Sequence, residues 1–207
     1  MTASRGYHRP ETLADALALV AGGAGKPIAG GASLVAMMNA GIAEPAALVS
    51  LAAVRGLAGI TAAADGAIRI GAFTRHREIV ETAMLPGTLA VVTEAARQIA
   101  NVSVRNMGTI GGAVAHADPG LDFPPALVAA GAEIEIASAA GSRVIAARDF
   151  FVDWYTTVLE PGELVSAVLL PRPQAGTGVY LKHARVAGDY AIASVAVSAA
   201  RSGAVRV

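Results

Sequence analysis

The chain has 207 residues, 54% hydrophobic and 15% charged, a balance that excludes intrinsic disorder. Sixteen basic and sixteen acidic residues cancel to zero net charge with no run of like sign, which excludes a nucleic-acid groove built on clustered Lys and Arg. With no cysteine, the chain offers no disulfide, no thiolate nucleophile and no ligand for cysteine-held zinc or iron–sulfur clusters.

The N-terminal twenty residues carry Glu11 and Asp15 within their apolar run. They read as the first helix of a mature cytoplasmic protein, not as a signal peptide. Thr12–Ala21 is predicted helical: Thr12 and Asp15 have capping-box spacing, Leu13, Leu17 and Val20 share a face, and Gly22–Gly23 ends it. Lys26–Ala29 is a strand candidate opening into Gly30–Gly31, followed by a helix candidate Ser33–Met38 and a buried strand Ala47–Leu51. No segment reaches the roughly 18 uninterrupted apolar residues of a membrane span. The order suggests a small α/β layer.

After Gly56 the pattern changes to antiparallel. Gly59–Ala63 and Ala67–Ala72 flank Asp65–Gly66, a hairpin signal because both turn residues tolerate positive φ. Thr88–Ala100 is helical, with Leu89, Val92, Ala96 and Ile99 on one side. Ala132–Ser138 and Arg143–Ala147 form a second hairpin around Gly141, and Glu163–Leu170 is a strand closed by Pro171 and Pro173. A third unit starts near Gly178, with strands Val179–Ala184 and Ile192–Ala199 and a turn at Ser202–Gly203. Its break at Val207, in mid-strand, reads as an incomplete subdomain.

Two glycine segments carry the functional signal: Ala29-Gly30-Gly31-Ala32-Ser33, between a strand and a helix, and Val104–Gly112, VRNMGTIGG, after a helix. Glycine lets the backbone approach a ligand, and successive N–H groups can hold an anion. One such segment is an ordinary turn more often than a site. Two in a neutral protein suit a ligand with two phosphates. Neither fits the GxGxxG or GxxxxGK[ST] spacing.

His116, Asp118 and Asp122 offer metal-donor atoms but read as turn formers, so no metal site is expected. His8, His76 and His183 read as isolated surface residues, and no catalytic nucleophile pair is found. Arg105 divides evenly between a phosphate contact and a structural partner of loop carbonyls or a carboxylate. Trp154 and Tyr155 read as core filler, with an interface anchor as the alternative.

The stretch Gln98–Leu127, QIANVSVRNMGTIGGAVAHADPGLDFPPAL, resembles the FAD-binding signature of the molybdenum hydroxylase flavoprotein subunits. That family includes the medium subunits of aerobic carbon monoxide dehydrogenase and the FAD subunits of xanthine dehydrogenase. YHRPETLADAL, AGGASLVAMMNAGIAEPAALVSL, IRIGAFTRHREI, RDFF, EPGELV and LKHARVAGDYAIASVAV agree in the same order, so the resemblance covers nearly the whole chain.

The resemblance implies an α+β fold of the PCMH, or vanillyl-alcohol-oxidase, type. FAD would lie between an N-terminal subdomain (1–55) and a middle subdomain (56–177), with residues 178–207 starting a C-terminal subdomain that family members usually continue. It implies that Ala29, Gly30, Gly31, Ala32 and Ser33, with Thr109, Ile110, Gly111, Gly112 and Ala113, hold the pyrophosphate. Asp122 matches a position that accepts from ribityl hydroxyls, and Lys182 and Tyr190 match positions near the isoalloxazine. Ala32 and Ala113 depart from the family, whose carbon monoxide dehydrogenase-like members often have polar residues there. Each lost side-chain bond would be worth about 0.5–1.5 kcal/mol.

The implied function is that of a carbon monoxide dehydrogenase-like medium subunit: electron transfer from the [2Fe–2S] clusters of a small subunit, reduced by a molybdenum-cofactor large subunit, through FAD to an external acceptor. The alternatives are the FAD subunit of a xanthine, other N-heterocycle or aldehyde dehydrogenase, a self-contained FAD oxidoreductase, and a non-enzymatic truncated assembly module.

Overall fold

The computed structural model describes residues 6–207. Its first layer comprises β1 (Gly6–His8), α1 (Leu13–Ala21), β2 (Lys26–Ile28), α2 (Leu34–Asn39) and β3 (Ala47–Ser50). β3 lies between β1 and β2 and runs parallel to both, an arrangement that needs crossovers, here α1 and α2. Thr12 caps α1 as its spacing foretells, accepting the Asp15 N–H. The helix turns Ala16 and Leu17 inward onto Leu51, Val54, Leu57 and Leu164. β1 went unforeseen because three residues carry too little alternation to register.

The middle region holds β4 (Ile60–Ala62), β5 (Ile68–Gly71), α3 (His76–Glu81), α4 (Ala90–Gln98), α5 (Val102–Met107), α6 (Ile110–His116) and α7 (Phe123–Ala130). It continues with β6 (Glu133–Ser138), β7 (Gly141–Ala146), α8 (Ala147–Phe150), β8 (Phe151–Asp153), β9 (Thr156–Thr157) and β10 (Leu164–Leu170). Five of these strands form an antiparallel sheet in the order β4-β5-β10-β6-β7. The hairpin expected at Asp65–Gly66 is present: Ile60 pairs with Ile70, and Gly66 takes φ +85°. β10, the central strand, is buried at six of its seven residues, which is why it reads as an almost continuous apolar run.

A three-stranded C-terminal sheet follows: β11 (Gly176–His183), β12 (Ala193–Ala200) and β13 (Val205–Arg206), all antiparallel. The main core joins Ile70, Ile134, Ile136 and Val168 of the five-stranded sheet, Val92, Ile110, Phe123 and Leu127 of the helices, and Tyr180 and Ala196 of the C-terminal sheet. Fully burying one such aliphatic side chain is worth roughly 1.5–3 kcal/mol. Among the described residues no helix is long and apolar enough to cross a membrane.

Three expectations change. Gly111 and Gly112 stand inside α6, not in a loop, because the helix starts immediately after Thr109. His76 is buried, not on the surface. Trp154 and Tyr155 are not core: they are 74% and 58% exposed at the tip between β8 and β9.

Candidate cofactor site

β2 ends at Ile28 and delivers Ala29–Ser33 to the start of α2, while α5 ends at Met107 and turns through Gly108 and Thr109 into α6. The two glycine segments, about 80 residues apart in sequence, touch. A Cβ on Gly30 would stand 1.7 Å from the Met107 carbonyl oxygen, and one on Gly112 would stand 3.7 Å from the Ala29 Cβ. Gly111 is pressed equally hard from behind, where a Cβ would meet Ala72 Cβ at 2.4 Å. Glycine is required here by close approach of main chain to main chain.

The two segments differ in what they can donate. Residues 72–76 run beside the second as a rail: Gly111 N–H donates to Ala72 O, Ile110 N–H to Thr74 O, and His76 N–H to Gly108 O. Gly112 N–H donates to Thr109 Oγ1 and Ala113 N–H to Thr109 O, so the Thr109 hydroxyl caps its own helix. Among the described residues, only Thr109 N–H of that segment's amides, on the open side of the Arg75–Thr109 bridge, is left over. In the first segment, among the described residues, the N–H groups of Gly30, Gly31, Ala32 and Ser33 donate to no protein acceptor. Gly31 at φ +78° bends that row, and the exposed Ser33 makes no side-chain cap bond.

Unpartnered main-chain donors beside a surface stripped of Cβ atoms suit an oxyanion pair such as a diphosphate. The residues present fit that group, with the first segment as donor and the second as a close-packed floor. Ala32 and Ala113 add no polar side chain, and the buried Ile110 serves the core.

Asp122, Lys182 and Tyr190 gather at the other end of α6. Asp122 is buried and accepts from Tyr180 Oη at 2.7 Å and from Lys182 Nζ at 3.0 Å, the latter pair with side chains only 5% and 4% exposed. Lys182 Nζ also donates to Gln98 O at 3.2 Å. Burial foremost, and the Asp122 carboxylate beside it, push the Tyr180 phenol well above its ordinary range. Asp122 and Lys182 therefore engage each other, a pairing the sequence did not reveal. Tyr190 lies over Gly120, where a Cβ would fall 2.6 Å from its ring.

Arg105, divided between two readings in the sequence, and His76, read there as a surface residue, both buttress the site. Arg105 Nη1 donates to Ile99 O at 2.7 Å and Ala100 O at 3.1 Å, tying down a bend where Ala100 takes φ +40°. His76 packs against Gly108 and meets the Phe123 ring edge-on at 5.1 Å between centroids. Burial foremost, and the Arg105 charge second, lower its pKa to about 4, so the ring is neutral near pH 7. Among the described residues no group of three His, Asp or Glu is placed to hold a metal ion. A shallow surface cavity of about 480 Å³ beside Asp65, Met84 and Arg172 shares no residue with the glycine segments.

Comparison with known proteins gives the following. Residues 2–173 match the family described as FAD binding domain in molybdopterin dehydrogenase. The carbon monoxide dehydrogenase medium chain of Afipia carboxidovorans is 40% identical over 200 residues, covering 95% of this chain and 69% of that one. The glyceraldehyde dehydrogenase medium chain of Sulfolobus acidocaldarius is 38% identical over 193 residues, covering 93% and 68%. Among solved structures, reconstituted CO dehydrogenase from Oligotropha carboxidovorans superposes with a TM-score of 0.91 at 39% identity, covering 98% of this chain and 72% of that one.

Proposed function

The chain belongs to the family of FAD-binding domains of molybdopterin dehydrogenases, and on that premise we propose that it is the electron-exit subunit of its holoenzyme. Its cofactor is FAD, its fold the α+β type of carbon monoxide dehydrogenase medium chains, and its class that of oxidoreductase subunits. In this proposal a molybdenum-cofactor large subunit oxidises the substrate and a [2Fe–2S] small subunit relays the electrons. When bound, FAD supplies the redox chemistry, accepting electrons one at a time and releasing a pair to an external acceptor.

The chain's own residues bind and orient. The row of free N–H groups on Gly30–Ser33, closed against Gly108–Gly112, supports the diphosphate reading best, and with it the assignment of Ala29–Ser33 and Thr109–Ala113 to the pyrophosphate. In a neutral protein the positive field there comes from main-chain dipoles. Asp122 takes the ribityl side; with both oxygens already engaged, it accepts through its remaining lone pairs. Lys182 fixes Asp122 and lends its charge to the flavin end, and Tyr190 covers it. The boundaries we propose, near residues 55 and 177, set this crevice between the first two subdomains. The absence of cysteine agrees with clusters carried elsewhere.

The test is an absorption spectrum of the purified chain, with Gly111→Val beside it. Flavin bands near one per chain, lost in the variant, are expected. Equal flavin content in both would overturn the two-segment reading. Bleaching of the flavin by a small substrate in the isolated chain would instead favour a self-contained oxidoreductase.

A further inference from the structure

Asp118 is buried in the loop that leaves α6, and donors from separate parts of the chain converge on it. Gly120 N–H donates to its Oδ1 at 2.8 Å, closing the loop on itself. Tyr155 Oη, from the tip between β8 and β9, donates to its Oδ2 at 3.1 Å. Tyr190, from the connection between β11 and β12, lies on Gly120 and faces the same carboxylate and Tyr155. Together with Tyr180 on Asp122, three of the chain's four tyrosines attend the two aspartates of this one five-residue loop.

Two features go beyond holding a loop closed. Tyr155 takes φ +53°, a conformation that costs a bulky L-residue on the order of 1–3 kcal/mol and persists only where surroundings enforce it. Its main-chain N–H is held by Ala117 O at 2.9 Å, and its ring meets His116 at 5.3 Å. Tyr155 and Tyr190 are also 58% and 62% exposed although the first is bonded to Asp118 and the second lies on Gly120. Two anchored aromatic faces standing open to solvent are surfaces prepared for a flat ligand. They stand one seven-residue helix, about 10 Å, from the glycine segments, a separation suited to a ribityl arm.

We propose that Asp118 is a positioning residue for the flavin end of the site, holding Tyr155 and Tyr190 side by side as paired walls for the isoalloxazine. The proposal rests on the FAD reading. Tyr155 thereby becomes a cofactor-contacting residue, and the β8–β9 hairpin part of the site.

The chain carries its own reporter, since Trp154, its single tryptophan, neighbours Tyr155. FAD is titrated into the flavin-free chain while Trp154 emission and flavin emission are followed. Asp118→Asn keeps the oxygen that Gly120 uses and turns Oδ2 into a donor, so the Tyr155 hydroxyl loses its acceptor. Tyr155→Phe removes only the hydroxyl that donates to Asp118 Oδ2 and keeps the ring of a largely exposed residue, so the fold survives it whatever happens to the Asp118 variant. Expected are quenching of Trp154 by FAD in the parent and roughly tenfold weaker binding in Tyr155→Phe. A cooperative melt of the flavin-free Tyr155→Phe chain, lowered by no more than the one lost hydrogen bond, and no further loss of affinity when the two changes are combined, complete the expected result. Parent-like affinity and quenching in both single variants, or independent losses that multiply, overturn the Asp118 proposal alone. A parent that binds no FAD overturns the cofactor reading and this proposal with it.

Discussion

Gly30→Ala tests the joint between the two glycine segments most directly. The added methyl would lie 1.7 Å from Met107 O and 2.6 Å from Met107 C, both main chain, with Gly108 Cα at 3.1 Å. No side chain can rotate away, so the relief must come from the segments parting by more than an ångström. Overpacking usually costs about 1–3 kcal/mol, and a clash with rigid backbone belongs at the upper end. If the segments stay together, about 3 kcal/mol appears as a melting temperature lower by roughly 6–12 °C for a chain of this size. If they part, melting recovers but the crevice must be closed again on binding. FAD affinity then falls by up to on the order of 100-fold. Gly41→Ala is the control: Gly41 has φ +69° but open space around its Cβ, so only the left-handed conformation is strained, at about 1–2 kcal/mol. Circular dichroism melts and flavin titrations of both variants decide the matter. A Gly30→Ala chain that melts within 2 °C of the parent, by the same size scaling, and binds FAD equally well would refute the joint.

His76 makes stability sensitive to acid. Its folded pKa of about 4 lies below the ordinary histidine value of 6.5, so it adds no pH dependence above 6.5, where both states are neutral. As pH falls from 6.5 toward 4 only the unfolded chain takes up the proton, and stability drops, by about 2 kcal/mol at pH 5. Urea titrations at pH 7.5 and 5 should show that loss in the parent and a smaller one in His76→Phe; equal losses would contradict it. Removing one partner of the buried Asp122–Lys182 pair, as in Lys182→Met, should cost about 3–5 kcal/mol, and Asp122→Leu in the same chain should restore part of it. Strictly additive losses in that double-mutant cycle would show that the pair is not coupled. Arg105→Met leaves the Ile99 and Ala100 carbonyls without their donor. It should destabilise by about 1–3 kcal/mol in the flavin-free chain, with little effect on affinity once folded. An unchanged melt with weakened FAD binding would reinstate Arg105 as a phosphate contact.

The sequence by itself determined what is written over short distances. Thr12 and Asp15 stand one helical turn apart, so the cap on α1 was legible. Asp65–Gly66 declared its hairpin through its own backbone preferences, and the apolar run closed by Pro171 and Pro173 declared the strand β10. The glycine segments and the motif around them marked the place of the site. Only the tertiary structure decided what those residues do there. Glycines are poor helix formers, so nothing local put Gly111 and Gly112 inside α6; the nearness of Ala72 demands the first, and that of the Thr109 hydroxyl the second. Both glycine segments looked like donors, but the first keeps its amides free, among the described residues, whereas the rail at residues 72–76 and Thr109 engage most of those of the second. Asp122 and Lys182 are 60 residues apart, and Asp118 and Tyr155 are 37 apart. Pairings at such separations follow from how sheets and helices stack, and side-chain chemistry alone does not specify them. Local propensity acts within a turn or a hairpin, whereas a site is assembled by packing.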